Sequence, residues 1–154
     1  MKRIIVYESV CHGNTEKIAK VISEIIDAEM IKASKVKPKY LNYYDLIGFG
    51  SGIFYGKHNT NILDLISKMP NVTNKKAFVF STSGQGKMEY NNYAKQMLRD
   101  KGFEVIGNFA CKGFDTYGPF KLIGGIAKNR PNENDMEMAK YFARKFLVEN
   151  ISEI

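Results

Sequence analysis

Ile4-Ile5-Val6-Tyr7-Glu8-Ser9-Val10-Cys11-His12-Gly13-Asn14-Thr15 is the stretch that decides how this chain is read. Its apolar head has the character of a buried strand. An amphipathic stretch from Glu16 to Asp27 follows, with Ile18, Ala19, Val21, Ile22, Ile25 and Ile26 on one helical face. Asn14 is the expected N-cap of that helix. A small-polar loop between a buried strand and a helix aims backbone N–H groups, hydroxyls and the positive end of the helix dipole at one point. Such a point suits a phosphate. The hydroxyls of Ser9 and Thr15, the Asn14 amide and the backbone N–H groups from Ser9 to Thr15 are the expected donors.

Outward from that loop, apolar runs alternate with amphipathic stretches. Strands are expected at 28–33, 45–50, 77–80 and 103–111, and helices around 62–69, 90–102 and from Asn132 or Asn134 onward. The segment 34–43 holds Pro38 and several tyrosines, so any helix there is short or irregular. Gly48 and Gly50 mark places where something packs closely on the third strand. Strands that alternate with helices imply one parallel sheet covered on both faces with right-handed crossovers. A single domain spanning 1–154 is expected.

In such a sheet ligands lie beyond the carboxyl ends of the strands. The loops leaving those ends, 9–14, 51–60, 82–88 and 112–131, carry most of the glycines and the small hydroxyl residues. The loops at the opposite edge are plain. Spacing then removes several phosphate sites. A dinucleotide fold needs G-x-G-x-x-G after the first strand, where only Gly13 stands, and the P-loop pattern G-x-x-x-x-G-K-[ST] is absent. A receiver-type phosphoacceptor needs an acidic pair and a further aspartate where this chain has Glu8 and Ser51. A Cys-x5-Arg phosphatase loop fails at Lys17, since lysine cannot make the bidentate arginine grip. A tightly held monophosphate that is never transferred remains.

Composition narrows the setting. The chain has 154 residues, 44% apolar and 25% charged, and a formal net charge of +7. No run approaches the roughly 18 apolar residues of a membrane-spanning helix. The head of the chain is too short in apolar residues for a signal-peptide core. Cys11 and Cys111 form no C-x-x-C pair, so neither a disulfide framework nor a metal site is expected and the setting reads as cytoplasmic. Cys111 is expected to be buried. The lysines are spread along the chain, with one cluster at Lys32, Lys35, Lys37 and Lys39, and without interleaved aromatic residues they do not indicate nucleic-acid binding.

Tyr7, Ser9, Gly13, Asn14, Thr15, Glu16 and Ala19 resemble the phosphate loop of the flavodoxin family, with one extra residue at Cys11-His12. The Ser-x-x-x-Gly-x-Thr form also looks like the flavodoxin-like protoporphyrinogen oxidases and related short flavoproteins. Asp45-Leu46-Ile47-Gly48-Phe49-Gly50-Ser51-Gly52 and Phe80-Ser81-Thr82-Ser83-Gly84 extend the resemblance, which covers the whole chain in order of elements. It implies an α/β three-layer sandwich with a five-stranded parallel sheet in the order 2-1-3-4-5, and FMN as cofactor. The residues that it implies around FMN are Ser9, Val10, Cys11, His12, Gly13, Asn14 and Thr15 at the phosphate. Ser51, Gly52, Ile53, Phe54, Tyr55 and Gly56 follow in the third-strand loop. Thr82, Ser83, Gly84 and Gln85 follow the fourth strand, and Gly113, Phe114 and Asp115 the fifth.

Phe54 or Tyr55 is expected against one ring face, and the Gly56 peptide at the ring edge, because glycine permits either peptide orientation. Phe114, Asp115 and Tyr117 stand in for the tryptophan and the tyrosine that the family often places there. His12 is expected near the phosphate, and His58 as an exposed loop histidine. The tyrosines at 40, 43 and 44 are expected to pack a sheet edge.

No catalytic acid–base residue is evident. The expected role is electron transfer between redox proteins, with an FMN-dependent oxidoreductase acting on a quinone or a protoporphyrinogen-like substrate as the alternative. The resemblance departs in charge, since flavodoxins are usually acidic. Basic side chains near the ring imply acidic, ferredoxin-like partners and a raised potential, about 59 mV for each tenfold stabilisation of a one-electron-reduced form. A monomer or weak dimer is expected.

Overall fold

The apolar run that opens the chain becomes β1 (Arg3–Glu8) of a predominantly parallel sheet in a computed structural model that describes residues 1–10, 12–116 and 118–152. The other strands are β2 (Glu29–Lys32), β3 (Leu46–Phe54), β4 (Lys57–His58), β5 (Lys76–Ser83) and β6 (Glu104–Lys112). The α-helices are α1 (Asn14–Ile26), α2 (Thr60–Lys68), α3 (Asn92–Asp100) and α4 (Glu133–Ser152). The five long strands run parallel in the order β2-β1-β3-β5-β6. This is the expected 2-1-3-4-5 once the short β4, antiparallel to the end of β3, is counted.

Side-chain alternation along each strand separates two cores. Ile4, Val6, Ile47, Phe49, Ala77 and Val79 face α2 and α3. Ile5, Tyr7, Phe78 and Phe80 face α1 and α4. Burial on both faces is why β1 reads as a continuous apolar run rather than an alternating one. On β3, Gly48 and Gly50 leave room for the rings of Phe78 and Phe80, and a Cβ at either position would run into those rings.

The segment 33–43 folds as two 3-10 turns, Ala33–Lys35 and Pro38–Tyr43, as Pro38 suggested. Tyr44 is buried, while Tyr40 and Tyr43 pack edge-on beside it. Cys111 is buried, and burial foremost pushes its thiol up to about 12. Helix α4 opens at Asn132, whose Oδ1 accepts from the Asp135 N–H while Asp135 Oδ2 accepts from the Asn132 N–H. Arg130 holds Asp135 from outside the helix through two hydrogen bonds.

One expectation fails at the start of α1. Asn14 is not the N-cap. Gly13 holds that position in the left-handed region at φ 66°, without a side-chain cap, and Asn14 is the first helical residue. A second expectation fails at β3, which continues past Gly50 to Phe54 and turns back as a hairpin. Among the described residues no helix is long and apolar enough to cross a membrane.

Candidate functional site

The carboxyl ends of β1, β3, β5 and β6 converge on two adjoining hollows. The first opens at the mouth of α1, with an empty volume of about 420 Å³. Asn14 and Thr15 form its helical side, Thr82 and Ser83 its β5 side, and Gly113 and Phe114 the side from the β6 loop. Gly52, Ile53 and Phe54 come from β3, and Val10 from the loop after β1. The amides of Asn14 and Thr15 have no carbonyl one turn back to bond within the helix. That of Glu16 is taken by Ser9 Oγ at 3.3 Å, which leaves the Ser9 proton available to a ligand. Thr15, only 2% exposed, shares a 2.9 Å hydrogen bond with the Thr82 hydroxyl. Such a pair has two protons and uses one between its members, so one O–H remains to donate. No lysine or arginine stands among the described lining residues. The positive potential there comes from the helix dipole and oriented N–H groups.

The loop after β6 is tied across the phosphate loop. Asn14 Nδ2 donates to the Phe114 carbonyl at 2.9 Å, so this amide bridges two loops. Gly113 makes that approach possible, because a Cβ there would lie 2.6 Å from Asn14 Nδ2. His12, in the left-handed region at φ 59°, shares a 3.1 Å hydrogen bond with Thr116 Oγ1 and lies with its ring centroid 4.3 Å from that of Phe114. His12 is thus engaged with the β6 loop rather than with the hollow. Cys11 and Tyr117 lie outside the described residues.

The second hollow, about 700 Å³, is a slot between two walls. Ile53, Tyr55 and Gly56 line one side, and Gly84, Gln85 and Tyr90 the other. Pro119 and Phe120 close the end, and Ile53, Ser83 and Asp115 border both hollows. Tyr55 and Gly56 form a two-residue hairpin turn, with φ 53° and 79° respectively. Paired left-handed residues of this kind match the twist of the flanking strands. Tyr55 is 91% exposed at the tip. On the opposite wall Gly86 N–H donates to Ser83 Oγ, and Tyr90 O–H donates to Gln85 Oε1, each at 2.8 Å. Ile126 packs onto Gly84, where a Cβ would displace it, and pairs with Asp115 through reciprocal backbone hydrogen bonds. Residues 113–116 and 118–131 therefore form a folded flap with its own 3-10 turn, Gly118–Ile123, at the slot.

Ser51 and His58 stand differently from the sequence expectation. His58 is not an exposed loop histidine but is buried, 2% exposed, beneath the hairpin. Its Nδ1 lies 3.1 Å from Ser51 Oγ and its Nε2 2.7 Å from Asn91 Oδ1. Burial lowers its pKa to about 4, against a smaller upward effect of the Asn91 hydrogen bond. The Ser51 side chain is fully buried in this network and borders neither hollow. Asn91, Tyr90 and Thr116 were not expected at the site, whereas Phe120 was expected only as part of a loop that could shape a substrate site. The Tyr55-Gly56 dipeptide is the one local signal that could have revealed the hairpin, and with it the inward turn of His58.

A hollow at a helix mouth, lined by hydroxyl and amide donors with Asp115 at its border, adjoins a second hollow edged by tyrosine and phenylalanine, and the two together can hold an anionic group on a short polar stem joined to a planar ring. The model of the flavodoxin domain matches residues 4–114. The chain belongs to the flavodoxin family. An uncharacterized protein of Methanocaldococcus jannaschii is 49% identical over 149 residues, covering 96% of this chain and 99% of that one. Among solved structures, oxidised Flavodoxin 2 from Bacillus cereus superposes with a TM-score of 0.73 at 23% identity, over 97% of this chain and 99% of that one. Fusobacterium nucleatum flavodoxin bound to flavin mononucleotide superposes with a TM-score of 0.69 at 12% identity, over 97% and 99%. At these identities the superpositions establish the flavodoxin fold, whose sheet order and loop edge are those described above.

Proposed function

We propose that this chain binds FMN across the two hollows and carries electrons between protein partners. The observation that carries the reading is the junction of a hollow built from uncharged donors with a second hollow edged by Tyr55, Tyr90 and Phe120, on the loop edge of a flavodoxin-family sheet. The Fusobacterium relative bound to flavin mononucleotide supports the choice of ligand. Bound FMN supplies the redox chemistry. The amides at the mouth of α1, Ser9 and the Thr15–Thr82 pair hold its phosphate. Tyr55, Tyr90 and the backbone at Gly56 and Gly84 enclose its ring.

Basic side chains outnumber acidic ones at the working edge. Lys57, Lys87, Lys112, Lys121 and Lys128 lie on the strand ends and loops there, against Glu89, Asp115 and Glu133, while Arg130 is paired with Asp135. A redox partner with an acidic face suits that edge. Anaerobic photoreduction of the protein with FMN tests the carrier reading. Stepwise reduction that accumulates a one-electron-reduced form is the expected result. Direct two-electron reduction, with rapid turnover of a quinone or a protoporphyrinogen, would favour the FMN-dependent oxidoreductase instead. A purified protein that stays colourless and takes up no FMN would overturn both.

A further inference from the structure

The polar chain under the slot has no part in the proposed electron transfer, yet it is fully bonded and buried. Its proton arrangement follows from Asn91. The Nδ2 of that residue donates to Asn108 Oδ1 at 2.6 Å and to the Phe109 carbonyl at 3.0 Å. An oxygen in that place would meet two acceptors. Asn91 Oδ1 therefore faces His58, and the network assigns the ring proton to Nε2. Nδ1 is left as an acceptor 3.1 Å from Ser51 Oγ, whose single proton it shares with the Gly52 carbonyl at 2.7 Å, while that oxygen accepts from the Asn59 N–H at 2.9 Å.

The ends of this chain lie in different loops. His58 closes the β3–β4 hairpin, whose tip, Tyr55–Gly56, forms one wall of the slot. Asn91 ends the 3-10 turn Met88–Asn91, whose Tyr90 lies on the other wall. The ladder between β3 and β5 stops at the Gly52–Thr82 pair. Beyond that level the two walls are not joined by sheet hydrogen bonds. We propose that the His58–Asn91 hydrogen bond is a strut that sets the separation of the slot walls, and that His58 is thereby a positioning residue for the planar ring. The identity of that ring rests on the FMN reading, whereas the strut does not. A buried hydrogen bond whose partners have no water to turn to opens reluctantly. The Tyr90–Gln85 bond lies within one wall, and the contact of Lys57 Nζ with the Tyr93 ring, 4.1 Å to its centroid, joins the hairpin to α3 at an exposed place where solvent competes with it.

Two neutral variants separate the strut from general packing. In His58→Gln the amide nitrogen reaches the place of Nε2, whereas in His58→Asn the shorter side chain reaches only that of Nδ1. Amide hydrogen exchange is read on the FMN-free protein over residues 54–57 and 84–90. In His58→Asn both segments are expected to exchange about tenfold faster, although only one lies beside the substitution, and in His58→Gln both stay near wild type. Residues 9–15 are expected to be unaffected in both variants. Acceleration confined to 54–57, or the same behaviour in both variants, overturns the strut. If His58→Asn does not fold, Asn91→Ala cuts the same bond from its other end, and there acceleration confined to 84–90, the segment beside the substitution, overturns the strut. In binding titrations, His58→Asn is expected to weaken FMN and riboflavin equally while inorganic phosphate binding is unchanged. A wild-type protein that binds neither flavin sinks the FMN reading alone, and the exchange comparison still decides the strut.

Discussion

At the scale of single residues, Thr15 shows how one hydroxyl serves both a neighbour and a ligand. Its hydrogen bond to Thr82 joins the first turn of α1 to the end of β5, and the pair keeps one proton for the hollow. Thr15→Ala removes a partner of that pair. It is expected to weaken FMN by about ten- to a hundredfold, as loss of a hydrogen bond to a charged group does, and riboflavin much less. Equal losses in parallel fluorescence titrations would contradict a phosphate role. Thr15 was legible from its place at a helix mouth. Its partner was not, because the parallel crossover brings together residues 67 positions apart. Asn14 was legible as a site residue but not in its task, since its bond to Phe114 depends on a loop 100 positions away. His58 carried no local sign of burial, because a lone histidine between Lys57 and Asn59, two residues past a glycine, reads as a loop residue until the hairpin is known.

At the scale of elements, the β3–β4 hairpin stands on a neutral histidine. The folded pKa of His58, about 4, lies below the ordinary 6.5. Between those values the unfolded chain binds the proton and the folded protein does not, so this contribution is whole above pH 6.5 and declines as the pH falls to about 4. The loss amounts to about 3 kcal/mol at its full extent. Urea unfolding from pH 7 to 4 is expected to show that decline, and His58→Gln, which does not titrate, is expected to lack it. A decline of equal size in the variant would assign it to other groups. The strands, the four helices and the irregular segment after β2 could be read from periodicity and Pro38. The hairpin could not, because Gly48, Gly50 and Gly52 interrupt the alternation that marks a strand and Tyr55-Gly56 is a weaker turn signal than Asn-Gly. The flap after β6 was equally hidden, since its one bridge, Asp115–Ile126, joins residues without strand-like patterning.

At the scale of the whole molecule, the parallel sheet and the gathering of glycine-rich loops on one edge followed from alternation, whereas the sheet order followed from the resemblance to the flavodoxin family. What composition left open was where the positive charge acts. The fold brings Lys57, Lys87, Lys112 and Lys121 to the loops and strand end at the slot edge, far apart in sequence though they are. Electron exchange with an acidic redox protein is therefore expected to slow by about tenfold or more between low and physiological ionic strength, as steered encounters do. A stopped-flow rate that is independent of salt would rule out this docking edge. The alternation of strands and helices has a further consequence. Each α-helix runs opposite to the parallel strands, so all four begin on the edge where those strands end. Their peptide dipoles point the same way, and the domain is polarised along its strands with the positive pole at the slot. A negatively charged molecule approaching it would feel a torque as well as an attraction, and the slot end would turn toward it before the surfaces meet.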